Sequence, residues 1–161
     1  MTVALARRFI VQVAPFAATA PSSDAGWTPI LGVNDFDYEL AATTEDTTDF
    51  DTEGYTSKEK TAQGWTVVAK AFRRVSADAN GKPTVFDPGQ EIVRDAHDQF
   101  GDDARVWTRW YDRNGGDEAY EGLALVEWKL SKTGVTNVQE VTISLDGDGA
   151  RTAITNPAAA S

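Results

Sequence analysis

The chain has 161 residues, 41% of them hydrophobic and 10% aromatic, and a net charge of −10 from 25 acidic and 15 basic side chains. This suits one domain around one core, argues against wholesale disorder, and offers no basic cluster for gripping a phosphate backbone. Cysteine is absent, which excludes disulfides and thiolate metal sites.

The apolar runs are short, as at 123–126, far below the ~18 residues of a membrane-spanning helix. The N-terminal stretch MTVALARRFIVQVAPF lacks a signal-peptide layout, so secretion is not expected. Residues 7–13 alternate, with Phe9, Val11 and Val13 against Arg8, Ile10 and Gln12, which predicts a first strand. Residues 14–26 (APFAATAPSSDAG) are small and polar and read as a loop or extended arm, so 1–26 is expected to form a strand-and-arm unit. A short extended piece at 27–31 carries Pro29, which favours a sheet edge. The strand expected at 33–40 sets Val33, Asp35, Asp37 and Glu39 on one side and Asn34, Phe36, Tyr38 and Leu40 on the other. One face is acidic and one aromatic, the pattern of a strand that separates a core from water.

The next stretch, 40–64 (LAATTEDTTDFDTEGYTSKEKTAQG), holds six acidic residues and seven threonines, with no Ile, Leu or Val after Leu40. It reads as a long connection without structure of its own, which in a compact domain is usually functional or disordered. Here it is expected to order on a partner.

Residues 65–75 predict the best strand, apolar on one face through Val68 and Phe72 and on the other through Val67, Ala69 and Ala71. Asn80-Gly81 marks a turn. The one helix is expected over 88–100. Asp87 caps it, Pro88 takes the first position, and Gln90 sits where a capping box wants Glu or Gln. Ile92, Val93, Ala96 and Phe100 form its apolar stripe and Gly101 ends it. Strands follow at 104–111, 119–130, 138–145 and 150–155, with a small-residue, flexible tail at 156–161. The sum is a mainly β domain. We expect an antiparallel sandwich or rolled barrel, one helix packed on the outside, and a long loop between early strands.

Catalytic signals are weak. His97, the single histidine, has no nucleophile or orienting partner in the sequence and reads as a solvated or interface residue. Asp49, Asp51, Glu53 and Gly54 fit the first positions of a calcium loop, but Lys60 stands where the closing Glu belongs, so turn chemistry is the better reading. Paired carboxylates and a platform built on Trp27, Trp65, Trp107, Trp110 and Trp128 would be needed for a glycosidase-like or carbohydrate-binding sandwich. Core and interface packing explain the same residues more simply. No phosphate-binding or dinucleotide fingerprint is present, and no cofactor or metal is implied. What remains is surface: strands apolar on both faces and a long acidic connection point to self-association.

Three segments carry a family likeness: WTPILGVNDFDYEL with TTDFDTEGYTSKEKTAQGWTVVAKAFRR, then EIVRDAHDQFGDDARVWTRWY with YEGLALVEWKL, then TGVTNVQEVTISLDGDGARTAITNP. Together they resemble the major tail tube proteins of long-tailed bacteriophages with non-contractile tails, especially those infecting actinobacteria. The resemblance implies a structural virion protein, not an enzyme, made in the host cytoplasm and resident in the virion tail. It implies hexameric rings whose sheets join across subunits and stack into a tube. Partners would be further copies, a tape-measure protein, a tail terminator and baseplate or tail-tip proteins, with DNA passing through the lumen without specific binding. The inter-ring role would fall on 41–63, through Thr44, Asp46, Asp49, Asp51, Glu53, Tyr55, Lys58 and Lys60. Asp35, Asp37 and Glu39 are candidates for the lumen wall, and no added surface domain is expected after Asn156-Pro157. A single-ring, terminator-like protein of the head–tail junction is the nearest alternative.

Overall fold

Just under half of the chain pairs in strands. The computed structural model describes residues 1–132 and 134–160. Its strands are β1 (Phe9–Pro15), β2 (Thr28–Pro29), β3 (Val33–Asp46), β4 (Lys58–Phe72), β5 (Val75–Ala77), β6 (Pro83–Phe86), β7 (Arg105–Asp112), β8 (Ala119–Ser131), β9 (Glu140–Gly147) and β10 (Thr152–Ala153), with one α-helix, α1 (Pro88–His97). An eight-stranded antiparallel sheet runs β2-β1-β7-β8-β9-β4-β3, with β10 added to β8. β5 and β6 form a separate hairpin. The mainly β, antiparallel, single-helix architecture expected from the sequence is the one observed.

The inward-facing members of each strand make one core. Val11, Val13, Trp65, Val67, Val106, Trp110, Ala124, Val126, Val141, Ile143 and Leu145 are buried together. Trp65 is seated where two strands carry glycine: a Cβ on Gly122 or Gly147 would come within 2.5 or 2.3 Å of its indole ring. The helix adds Val93 and Ala96 to the same core. Asp87 caps it as expected, accepting from the Gln90 backbone N–H at 3.1 Å.

Gln90 does not complete a capping box. Its amide is fully buried and donates to the carbonyls of Leu31 (2.8 Å) and Phe72 (2.9 Å), so it ties the helix to two strand ends. Its Oε1 accepts from Arg73, whose guanidinium also pairs with Glu91 and lies 4.1 Å from the Phe86 ring centroid. β4 stops at Phe72, three residues before the expected end at Val75, and the chain turns into the β5–β6 hairpin. The helix ends at His97, and Phe100, expected in its apolar stripe, stands outside it and is exposed.

The two ends of the sheet curl toward each other. Phe9 on β1 stacks against Phe36 and Tyr38 on β3, with ring centroids 5.2 and 5.5 Å apart. A polar clasp closes the same seam. Arg8 donates to Asp112 (3.0 Å) and Glu118 (2.9 Å), and the Tyr38 hydroxyl donates to the other Glu118 oxygen at 2.7 Å. Near the C-terminus, buried Asn156 donates to the carbonyls of Asp112 and Gly116.

Burial, and then the bond to Glu118, pushes the Tyr38 phenol up to about 12. A phenol whose folded pKa lies above its unfolded value of ~10 stabilises the fold fully below pH 10, and that contribution is lost as pH rises toward 12. Spectrophotometric titration should show a late-ionising tyrosine that Tyr38→Phe removes, together with the matching loss of stability. A high-pH titration left unchanged by Tyr38→Phe contradicts the assignment.

Candidate functional site

The segment 41–63 is not an unstructured connection. β3 and β4 pair from Val33↔Ala71 out to Asp46↔Lys58, while β9 pairs with β4 only from Thr66 to Phe72. Residues 41–64 are thus a two-stranded hairpin that projects beyond the sheet, every residue exposed apart from the half-buried Thr52 and Ser57. The alternation that marks strands elsewhere is apolar–polar; here both faces are polar, so periodicity gave no signal.

Thr44 stands opposite Lys60 and Asp46 opposite Lys58. A register shift falls between Thr43 and Thr44, and just beyond it Glu45 lies directly across from Glu59. Like charges facing each other in this way destabilise a ladder.

The tip is built by its own hydroxyls and carboxylates. Thr47 N–H donates to the Ser57 carbonyl at 2.9 Å, and Ser57 N–H to the Thr48 hydroxyl at 2.9 Å. Asp46 accepts from Thr48, and that bond holds its carboxyl below its usual value. Asp49 accepts from the Asp51 N–H and the Thr52 hydroxyl donates back to the Asp49 carbonyl. Glu53 adopts φ 54° ahead of Gly54 at φ 86°, which turns the chain back. Of the acids that resemble a calcium loop, Asp49 thus commits a carboxylate oxygen to a turn bond, and Glu53 supplies a left-handed turn residue. Two aromatic rings crown this polar tip: Tyr55, singled out by the sequence, and Phe50, which the sequence reading missed and which is fully exposed. A lone phenylalanine in an otherwise polar run was the available signal.

The second feature is a sheet face. Asp35, Asp37 and Glu39 are exposed and share the outward side of β3, while Phe36 and Tyr38 face in. Strand register extends this face. One row runs Asp37, Val68, Ser144, Glu127, and the next Asp35, Lys70, Thr142, Lys129. A third carries Glu39, Thr66, Asp146 and Leu125. Five carboxylates against two lysines make the four-stranded face acidic. Asp146 and Glu127 join Asp35, Asp37 and Glu39 only through register, which no single strand reveals.

The other sequence candidates disperse. His97 is exposed on the helix. Trp27, Trp65 and Trp110 are buried, Trp128 lies under the Arg73 guanidinium, and Trp107 donates its indole N–H to the Ala17 carbonyl. The five rings do not form one exposed platform.

No family model matches the sequence, and no curated protein is detectably similar to it. Solved structures share its fold. The chain aligns with a component of the virion of a native gene transfer agent particle at 11% identity, over 93% of this chain and 98% of that one, with a TM-score of 0.64. It aligns with the tail of an empty gene transfer agent particle, refined with C6 symmetry, at 10% identity over 94% and 99%, TM-score 0.62. The SPP1 tail tube matches at 15% identity over 94% and 80%, TM-score 0.64. Over nearly its whole described length, the chain has the fold found in these virion and tail structures.

Proposed function

We propose that this chain is a tail tube subunit: a structural, non-enzymatic virion protein whose rings stack into a conduit for DNA. The observation that carries the proposal is the near end-to-end match of its fold with chains of two tail assemblies, one of them refined with six-fold symmetry, and of a virion. A hexameric ring is the corresponding proposal for this chain. Two structural features support the role independently. The acidic, four-stranded outer face has the charge of a wall that repels phosphate, which lets a duplex slide where a basic wall would hold it. The exposed arm 41–63 reaches beyond its own sheet and has nothing of its own domain to rest on, as a connector between rings requires.

In this reading Asp35, Asp37 and Glu39, with Asp146 and Glu127, line the lumen. Thr44, Asp46, Asp49, Asp51, Glu53, Tyr55, Lys58 and Lys60 belong to the inter-ring arm. Residues 1–26 serve as the N-terminal strand and arm, and 156–161 as a short tail. The partners are further copies of the chain, a tape-measure protein, a terminator and baseplate or tip proteins, all within a virion tail assembled after synthesis in the host cytoplasm. DNA passes through without specific contacts.

Removing residues 44–59 and closing the hairpin with a short turn should leave a folded, soluble protein that no longer stacks, as followed by circular dichroism and electron microscopy. Tubes of normal length from that variant would overturn the role of the arm. Reversing Asp35, Asp37 and Glu39 to Lys together should permit assembly but slow DNA passage, an effect that weakens as salt screens the charges. Unchanged infectivity of particles carrying the triple variant would remove these acids from the lumen.

A further inference from the structure

The arm lies at one pole of the molecule, and the opposite pole has complementary character. β4 runs for 15 residues from Lys58 in the arm to Phe72, roughly 50 Å at the rise of a strand. At the Phe72 end the sheet finishes raggedly. Phe72 lies opposite Glu140, Glu140 opposite Ser131, and Arg73 N–H donates to the Gln139 carbonyl. Around these strand ends Phe72, Val75, Leu130 and Val138 are 40%, 46%, 45% and 67% exposed. Four exposed apolar side chains thus gather at this end of the sheet, Phe72 on the outward face and Leu130 on the inner-face row of Ala71 and Val141, and exposed apolar surface of this kind marks an association site. Beside them stand Arg74, exposed and without an ion pair among the described residues, and Lys132, whose side chain stays 57% exposed although it reaches Glu140.

The arm offers the matching surface. Its tip carries Phe50 and Tyr55, 104% and 78% exposed, on a stem whose acids outnumber its lysines. The stem also holds Glu45 and Glu59 face to face, an arrangement that costs stability in the isolated hairpin and is relieved by an opposing cation. Aromatic anchors meet exposed apolar side chains, and an uncompensated carboxylate pair meets Arg74, which has no ion pair among the described residues, and Lys132, which is half-exposed beside its partner Glu140.

We infer that the pole formed by Phe72, Arg74, Val75, Leu130, Lys132 and Val138 is the receiving site for the arm tip of a second copy, with Phe50 and Tyr55 on its apolar side chains and Glu45 and Glu59 toward Arg74 and Lys132. The inference rests on the stacking proposed above and assigns its acceptor. A contact between two different poles of identical chains is heterologous and propagates along one axis. Electrostatic complementarity of this kind sets register and suppresses wrong pairings.

The chain has no cysteine, so introduced thiols report cleanly. Tyr55→Cys and Val138→Cys chains, mixed and treated with a short bis-maleimide, should give a two-copy product that neither gives alone. The double variant should give a ladder of three copies and more. Stacks seen by microscopy without a 55–138 product overturn the acceptor site and leave stacking intact; no stacks and no product overturn both. Charge exchange gives a second readout. Arg74→Glu with Lys132→Glu should raise the concentration needed for stacking at least about tenfold, and Glu45→Lys with Glu59→Lys in the same chain should restore it. An unchanged threshold in the Arg74→Glu, Lys132→Glu chain overturns the electrostatic half.

Discussion

β4 is longer than the neighbour that should cover it. Its 15 residues pair with β3 almost throughout, but β9 reaches only the seven from Thr66 to Phe72. The excess has to leave the sheet as a two-stranded ribbon, and a ribbon with no third strand and no core of its own is marginal in water. It is held by its ladder, by the Thr47–Ser57 and Asp49–Thr52 bonds of its tip, and by continuity with a body that buries the other half of the same strands. The functional reading depends on this mismatch: it puts aromatic rings and carboxylates far from the core that pays for their display.

The body can support such an extension because it is closed on itself. The aromatic seam of Phe9, Phe36 and Tyr38, with the Arg8–Glu118–Tyr38 clasp, joins the first strand to the strand that launches the arm. At the other end Gln90 and Arg73 fasten the helix to the terminus of β4. β3 and β4 are therefore tied to the body along the aromatic seam and again at the end of β4 away from the arm. The outward face between these anchors is left free of packing, and its charge is then available for a role in a shared wall.

Much of this was legible in the sequence because burial writes period two into a strand. The alternation at 33–40 separated Asp35, Asp37 and Glu39 from Phe36 and Tyr38 correctly, and Asp87-Pro88 marked the helix start. The arm was not legible as a hairpin, since strands polar on both faces carry no such period; only its length and composition stood out. Gln90 was read as local capping chemistry, whereas its amide serves carbonyls 59 and 18 residues away in sequence, contacts that no local rule contains. The β5–β6 hairpin was missed for a related reason: Pro83 and a mixed face disguise a short strand. Asp146 and Glu127 became neighbours of Asp37 and Glu39 only through register, as did the grouping of Arg74, Leu130, Lys132 and Val138 at one pole.

The most direct test of the account is negative-stain electron microscopy of the purified, unmodified chain across rising concentration, with particle size followed in parallel. Stacked rings or tubes of uniform width, lengthening as concentration increases, are the predicted result. A chain that remains monomeric throughout, with its arm unengaged, would contradict it.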